Sequence, residues 1–182
     1  GDRTIVVGDS AGGVSSWQLL LDEGGERVLT KVYDFPQCDG GIVGLSASGR
    51  DKGFVAADSS GPTHLFYGTT GSEVLAVKAA SPDVRAAILA PKANGLFAVA
   101  ASGEISHWEL SNPHPEISLR SLFGKLWYEG YDAPEHVWQS TGGTDDFEAK
   151  FSLTPLIFGT LKGTFYALIF AVPISLLGAL YA

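Results

Sequence analysis

The sequence predicts an all-β region, part of a β-propeller of about 2.75 blades, followed by the start of an α-helical transmembrane domain. Three observations carry this reading. Twenty-three glycines and 9 prolines, set among abundant Val, Thr, Phe and Trp, favour many short strands joined by tight turns. One pattern of strand, turn and strand occurs three times. Residues 151–182 then hold a single charge, Lys162, in a run long enough to cross a bilayer core as a helix.

The three repeats are residues 4–21 (TIVVGDSAGGVSSWQLLL), 53–68 (GFVAADSSGPTHLFYG) and 95–110 (GLFAVAASGEISHWEL). Each is an apolar strand, a turn of Asp, Ser, Ala and Gly, and a second strand with an aromatic near its end: Trp17, Phe66 with Tyr67, and Trp108. A period of about 43 to 49 residues with strand-rich units is what four-stranded, WD40-like blades produce. Residues 42–46 and 84–90 add a strand before the second and third units, and residues 27–33, 73–78 and 116–122 add one after each. Two blades are therefore expected to be complete and the first to lack its opening strand. One blade cannot bury both faces of its own sheet, so stacked neighbours must do it. With no methionine and a strand beginning almost at Gly1, the chain is read as an internal fragment whose remaining blades lie upstream.

Composition narrows the partners. All 20 acidic residues but only 11 of the 12 basic ones fall in residues 1–150, a net charge of 11 − 20 = −9. Nucleic acid and anionic lipid both require clustered Lys and Arg, so nucleic acid is excluded as the main partner. The single cysteine, Cys38, excludes an intramolecular disulfide framework.

Three domains follow: a β region at 1–122, an aromatic and acidic connector at 123–150, and a membrane helix at 151–182. The connector holds Trp127, Tyr128, Tyr131 and Trp138. These rings either sit at the lipid headgroup level or pack the connector onto the last blade. From residue 152 the helix would run about 46 Å, longer than the hydrocarbon core, with Lys162 snorkelling or facing other helices. Gly159 and Gly163 form a small-xxx-small pair that lets another helix approach. Pro173 implies a kink that neighbouring helices can accommodate, and Gly178 is a further small packing position.

The string TPLIFGTLKGTFYALIFAVPISLLGALYA resembles the opening of the transmembrane domain in PstC-type permease subunits of phosphate ABC importers. The matching elements are Pro155, Ile157, Gly159-Thr160-Leu161, Ala167, Ala171-Val172-Pro173, Gly178 and Ala179. Residues 126–134 (LWYEGYDAP) are also similar to the short external segment before this helix in that family. The resemblance covers about the last 55 residues. Ordinary members have a short loop there; a β-repeat domain in its place looks like the enlarged permeases of some Gram-negative bacteria. The resemblance implies a multi-pass inner-membrane protein with residues 1–150 in the periplasm. It further implies a second permease subunit sharing the phosphate path, a periplasmic phosphate-binding protein and a cytoplasmic ATPase subunit, with membrane lipid around the helices. No G-x-x-x-x-G-K-[ST] loop occurs, so ATP hydrolysis is assigned to the separate ATPase and the chain is expected to be neither an enzyme nor a cofactor carrier. The alternative is a membrane-anchored periplasmic β-propeller acting as a protein-binding scaffold.

Other motifs favour plainer readings. Residues 8–13 (GDSAGG) resemble the active-serine turn of trypsin-like proteases, but Asp-Ser-x-Gly recurs at residues 58–61 between two strands, so both read as turn chemistry. His64, His107, His114 and His136 lack ligand spacing and Cys38 is distant from them in sequence, so no metal site is expected. His107 should face away from its neighbour Trp108 on a strand. Asp145, Asp146 and Glu148 lack a calcium-loop framework and read as a solvated acidic linker. Arg3, Arg50, Lys52, Arg85 and Lys92 lie near turns, where they would form a basic rim if the turns converge. Residues 66–77 (FYGTTGSEVLAV) have the cadence of quinoprotein-like repeats without the usual tryptophan, so no quinone is expected.

Overall fold

In a computed structural model, residues 3–22, 24–143 and 147–181 are described. Their regular structure is mainly antiparallel β-strand, arranged in four sheets, none closed, and is followed by one long apolar helix. The first sheet is β1 (Thr4–Gly8), β2 (Val14–Leu21) and β3 (Arg27–Asp34) in that order. The second is a four-stranded meander of β4 (Ile42–Ala47), β5 (Gly53–Asp58), β6 (Pro62–Tyr67) and β7 (Ser72–Lys78). The third is β8 (Val84–Leu89), β9 (Gly95–Ala100) and β10 (Ile105–Glu109), with β9 central.

The second sheet is sandwiched. Because side chains alternate along a strand, β5 sends Phe54 and Ala56 to one face and Val55 and Ala57 to the other, and all four are buried. Val55, Ala57 and Leu65 pack with Val84, Ala87, Leu96 and Ala98 of the third sheet. Phe54, Ala56 and Phe66 pack with Val14, Phe35 and Cys38 on the side of the first sheet. In that second core Phe35, Phe54 and Phe66 form an aromatic cluster with ring centroids 5.0–5.4 Å apart, the separation at which edge and tilted ring contacts add to burial. The outward faces of the flanking sheets carry Ile5, Val7 and Leu19 on one side and Ile88 and Ile105 on the other, all exposed.

The third sheet has three strands, not the expected four. Residues 116–122 do not form its closing strand; a one-turn helix, α1 (Leu119–Phe123), stands there. Pro113 and Pro115 supply no backbone donors for a ladder. Ser118 then caps α1, its hydroxyl accepting from Ser121 N at 3.0 Å while Ser121 Oγ accepts from Ser118 N at 2.8 Å. That reciprocal box satisfies two N–H groups and fixes helical geometry locally.

The connector turns back over the first and second sheets instead of the third. Trp127 N donates to Tyr33 Oη on β3 at 2.7 Å. Glu129 accepts from Arg3 N at 2.6 Å and pairs with Lys52 Nζ at 2.6 Å. Leu126 and Tyr128 are buried, whereas Trp138 is exposed and sits edge-on to Phe151. The aromatic stretch is thus mainly packing. A two-stranded ladder of β11 (Trp138–Gln139) and β12 (Lys150–Phe151) closes it. Leu153 N donates to Leu122 O at 2.8 Å, tying the chain to α1 before α2 (Thr154–Tyr181) begins.

Candidate functional site

Two regions hold functional candidates: α2, and the seam between the first and second sheets. The 28 residues of α2 span about 42 Å at 1.5 Å per residue, and none is buried. By length and composition the helix can cross a membrane. Gly159 and Gly163 lie four apart and share a face. A Cβ added at Gly159, Gly163 or Gly178 would meet nothing within 4 Å, so these positions are open to close approach. Pro173 lies within the helix without ending it. The polar side chains are satisfied locally. Thr160 donates to the carbonyls of Leu156 and Ile157 at 2.9 Å, and Ser175 donates to Val172 O at 2.9 Å. Such self-bonding removes most of the cost of placing a hydroxyl in hydrocarbon. Lys162 Nζ lies 5.8 Å from the Tyr166 ring, within cation–π range.

The seam holds a different chemistry. Asp58 ends β5 and His64 lies in β6, and the register Ala56↔His64 puts both on the face toward the first sheet. Cys38, in the loop between β3 and β4, comes to them from the other side. Ligand-capable atoms of Cys38, Asp58 and His64 all lie within 4.8 Å of one another. Asp58 is fully buried and Cys38 is 3% exposed. The Asp58 carboxylate accepts from Ser60 N at 2.7 Å and Gly40 N at 2.9 Å. Burial acts to raise its pKa, but those two backbone donors, with the nearby His64, outweigh burial and hold the carboxyl below its usual range. His64 Nδ1 stands 2.7 Å from Glu73 Oε1. A carboxylate only accepts, so Nδ1 carries the proton in that bond and Nε2 is turned toward Asp58 and Cys38. Nε2 is buried without a hydrogen-bond partner; Asp58 Oδ2, at 3.7 Å, is beyond bonding distance.

The loop that presents Cys38 is held by close backbone packing. Cys38 N donates to Gly12 O at 3.0 Å. Gly12 has φ +86, and a Cβ there would lie 2.5 Å from Cys38 O and 2.6 Å from Gly40 O, so only glycine lets the β1–β2 turn seat against this loop.

Thiol, imidazole and carboxylate in sequence also suggest a nucleophile. Catalysis would need an accessible thiolate. Burial, then the charges of Asp58, Glu73 and Asp39, push the Cys38 thiol up to about 11, and the residue is only 3% exposed. The same three donors instead make a mixed S, N, O ligand set.

Other motifs resolve simply. Ser10 is exposed in its turn, and Asp9 Oδ1 accepts from Ala11 N and Gly13 N at 2.8 Å, a side-chain-closed turn. His107 is exposed and stacked on Phe97 at 4.6 Å, while Trp108 packs on the core. Lys52 pairs with Glu129, and Arg85 pairs with Asp83 at 3.2 Å. Asp145 and Asp146 lie outside the described residues. Glu148 is no solvated linker acid: Oε1 accepts from the hydroxyls of Thr69 and Tyr67. Burial raises its pKa more than those bonds and the charges of Lys52 and Lys150 lower it.

Sequence reasoning missed the Cys38–Asp58–His64 cluster. Half of it was readable: a β5–β6 hairpin with strand alternation places residues 58 and 64 on one face. The third member comes from a loop, and no spacing rule reaches it. Set against known protein families and curated proteins, the chain matches no family model and no curated sequence.

Proposed function

We propose that the chain is a portion of an inner-membrane permease subunit of a phosphate ABC importer of the PstC type, with its β region on the periplasmic side. The observation that carries the reading is α2: a 28-residue helix without a buried residue, on which the family-like Gly-Thr-Leu and Ala-Val-Pro pieces keep their spacing. Gly159, Gly163 and Gly178 would pack α2 against further helices, and Pro173 would introduce the bend that such packing accommodates. A second permease subunit would complete the phosphate path, a periplasmic binding protein would deliver phosphate and a cytoplasmic ATPase would supply the energy.

The β region is, in the same reading, a segment of a propeller. Two features support it. Successive sheets adjoin through equivalent strands, β5 with β8 and β1 with β4, and the middle sheet is covered on both faces. Closing such a ring would cover the exposed apolar faces of the two flanking sheets.

The test is phosphate uptake by cells carrying the full-length gene with Gly159 and Gly163 both replaced by Leu. Uptake is expected to fall at least tenfold while the protein still fractionates with the membrane. Uptake that is unaffected by deleting the whole gene, in cells with no other phosphate importer, overturns the reading.

A further inference from the structure

We propose that Cys38, Asp58 and His64 form a binding site for a divalent transition-metal ion of borderline softness, with Zn²⁺ the best match, that fastens the β3–β4 loop to the middle sheet. The donor set is a thiolate sulfur, an imidazole nitrogen and a carboxylate oxygen, the three ligand types that protein zinc sites draw on. Calcium and magnesium take oxygen ligands almost alone, so a sulfur and a nitrogen facing the same point select against them. Three protein ligands leave a fourth position for water, as a tetrahedral ion requires.

Three observations carry the site beyond proximity. The first is convergence: donor atoms from a loop, a strand end and a strand interior lie within 4.8 Å of one another, up to about 1 Å wider than the roughly 3.3–3.8 Å ligand separations of a tetrahedral shell about 2.0–2.3 Å in radius, a gap that small side-chain rotations on binding would close. The second is the orphaned Nε2 of His64. A buried imidazole nitrogen without a partner is costly, and this one points at the other two donors. The third is Glu73. A carboxylate on the far nitrogen of a ligating histidine fixes its tautomer and raises its basicity, the usual support for a metal-bound imidazole; the 2.7 Å contact supplies it.

Charge points the same way. Asp58 is buried with two backbone donors, and its ion-pair neighbour is His64, at 3.7 Å, which as a neutral imidazole brings it no positive charge. A buried carboxylate calls for a compensating cation. On binding, the Cys38 thiol gives its proton to solvent and its sulfur pair to the metal, leaving a site of balanced charge. Cys38 follows the first sheet while Asp58 and His64 belong to the second, so the ion would bridge two repeats that otherwise meet through apolar packing and a few loop hydrogen bonds. This inference does not depend on the transport reading.

The test uses the full chain, purified in detergent and stripped of metal with a chelator. Titration with Co²⁺ is expected to produce one equivalent of bound metal with a thiolate-to-cobalt charge-transfer band, which Zn²⁺ then removes by displacement. Cys38→Ser should abolish the band. His64→Gln and Asp58→Asn should weaken affinity at least tenfold, and Glu73→Gln about 10- to 100-fold. A measurement on the unsubstituted chain guards against misfolded variants: saturating Zn²⁺ should slow alkylation of Cys38 at least tenfold. An alkylation rate unchanged by Zn²⁺, or cobalt binding of equal strength in folded Cys38→Ser and His64→Gln chains, overturns the site. Phosphate uptake is not a readout here, so the failure of one proposal leaves the other standing.

Discussion

Two glutamates of the connector show how local surroundings set the sign of an acid's contribution. Glu129 is partly buried, which would raise its pKa, but the hydrogen bond and charge of Lys52 and the Arg3 N–H outweigh this and lower it. Its stabilisation is present above the ordinary carboxyl value of 4.5 and is lost as pH falls through the lowered value. Glu148 has the opposite sign. Its pKa is raised by burial from 4.5, so its contribution is complete below that value and is lost as pH rises through the raised one. Two outcomes follow for melting temperatures measured across pH. Glu129→Gln should lower stability by about 1–2 kcal/mol near neutrality, with the deficit shrinking in acid. Glu148→Gln retains an acceptor for Thr69 and Tyr67 and removes the charge, so it should be more stable than the parent at pH 7, with the gain vanishing below pH 4.5. A Glu148→Gln chain that melts lower than the parent at pH 7 would refute the assignment.

Among elements, the strands of the repeats were legible because their signals are local. Alternation and the Asp-Ser-x-Gly turn place β5 and β6 without tertiary information, and the same turn places β1 and β2. Residues 116–122 misled for a local reason as well. Apolar residues at 117, 119 and 122 suit a strand as well as a helix, and the deciding feature is the Ser118–Ser121 box after two prolines. The metal-ligand cluster was hidden differently, since a loop cysteine reaches the hairpin only through packing around Gly12 and Phe35. The sandwiched middle sheet gives the element-scale prediction. Phe66→Ala, at a fully buried ring between Phe35 and Phe54, should cost about 3–5 kcal/mol. Phe97→Ala, on the outward face of β9 against exposed His107, should cost about 1 kcal/mol or less. Denaturant midpoints of the two variants decide this; equal losses would mean that the outward face is a core in solution.

For the whole molecule, the proposal that α2 is one span of a permease assigns the β region to a definite side of the membrane. The chain is well suited to testing that assignment, because its single cysteine is 3% exposed and contributes little background to thiol labelling. Ser102 lies exposed in the turn between β9 and β10, well away in sequence from the Cys38 loop and from α2. Ser102→Cys therefore places a reactive thiol on the β region without disturbing a core contact. A membrane-impermeant maleimide, applied to intact cells whose outer membrane alone has been made permeable, should label this variant to at least ten times the level of the parent chain. Labelling that appears only after the inner membrane is opened would place the β region in the cytoplasm. That outcome would exclude a periplasmic docking partner and reverse the direction in which α2 crosses.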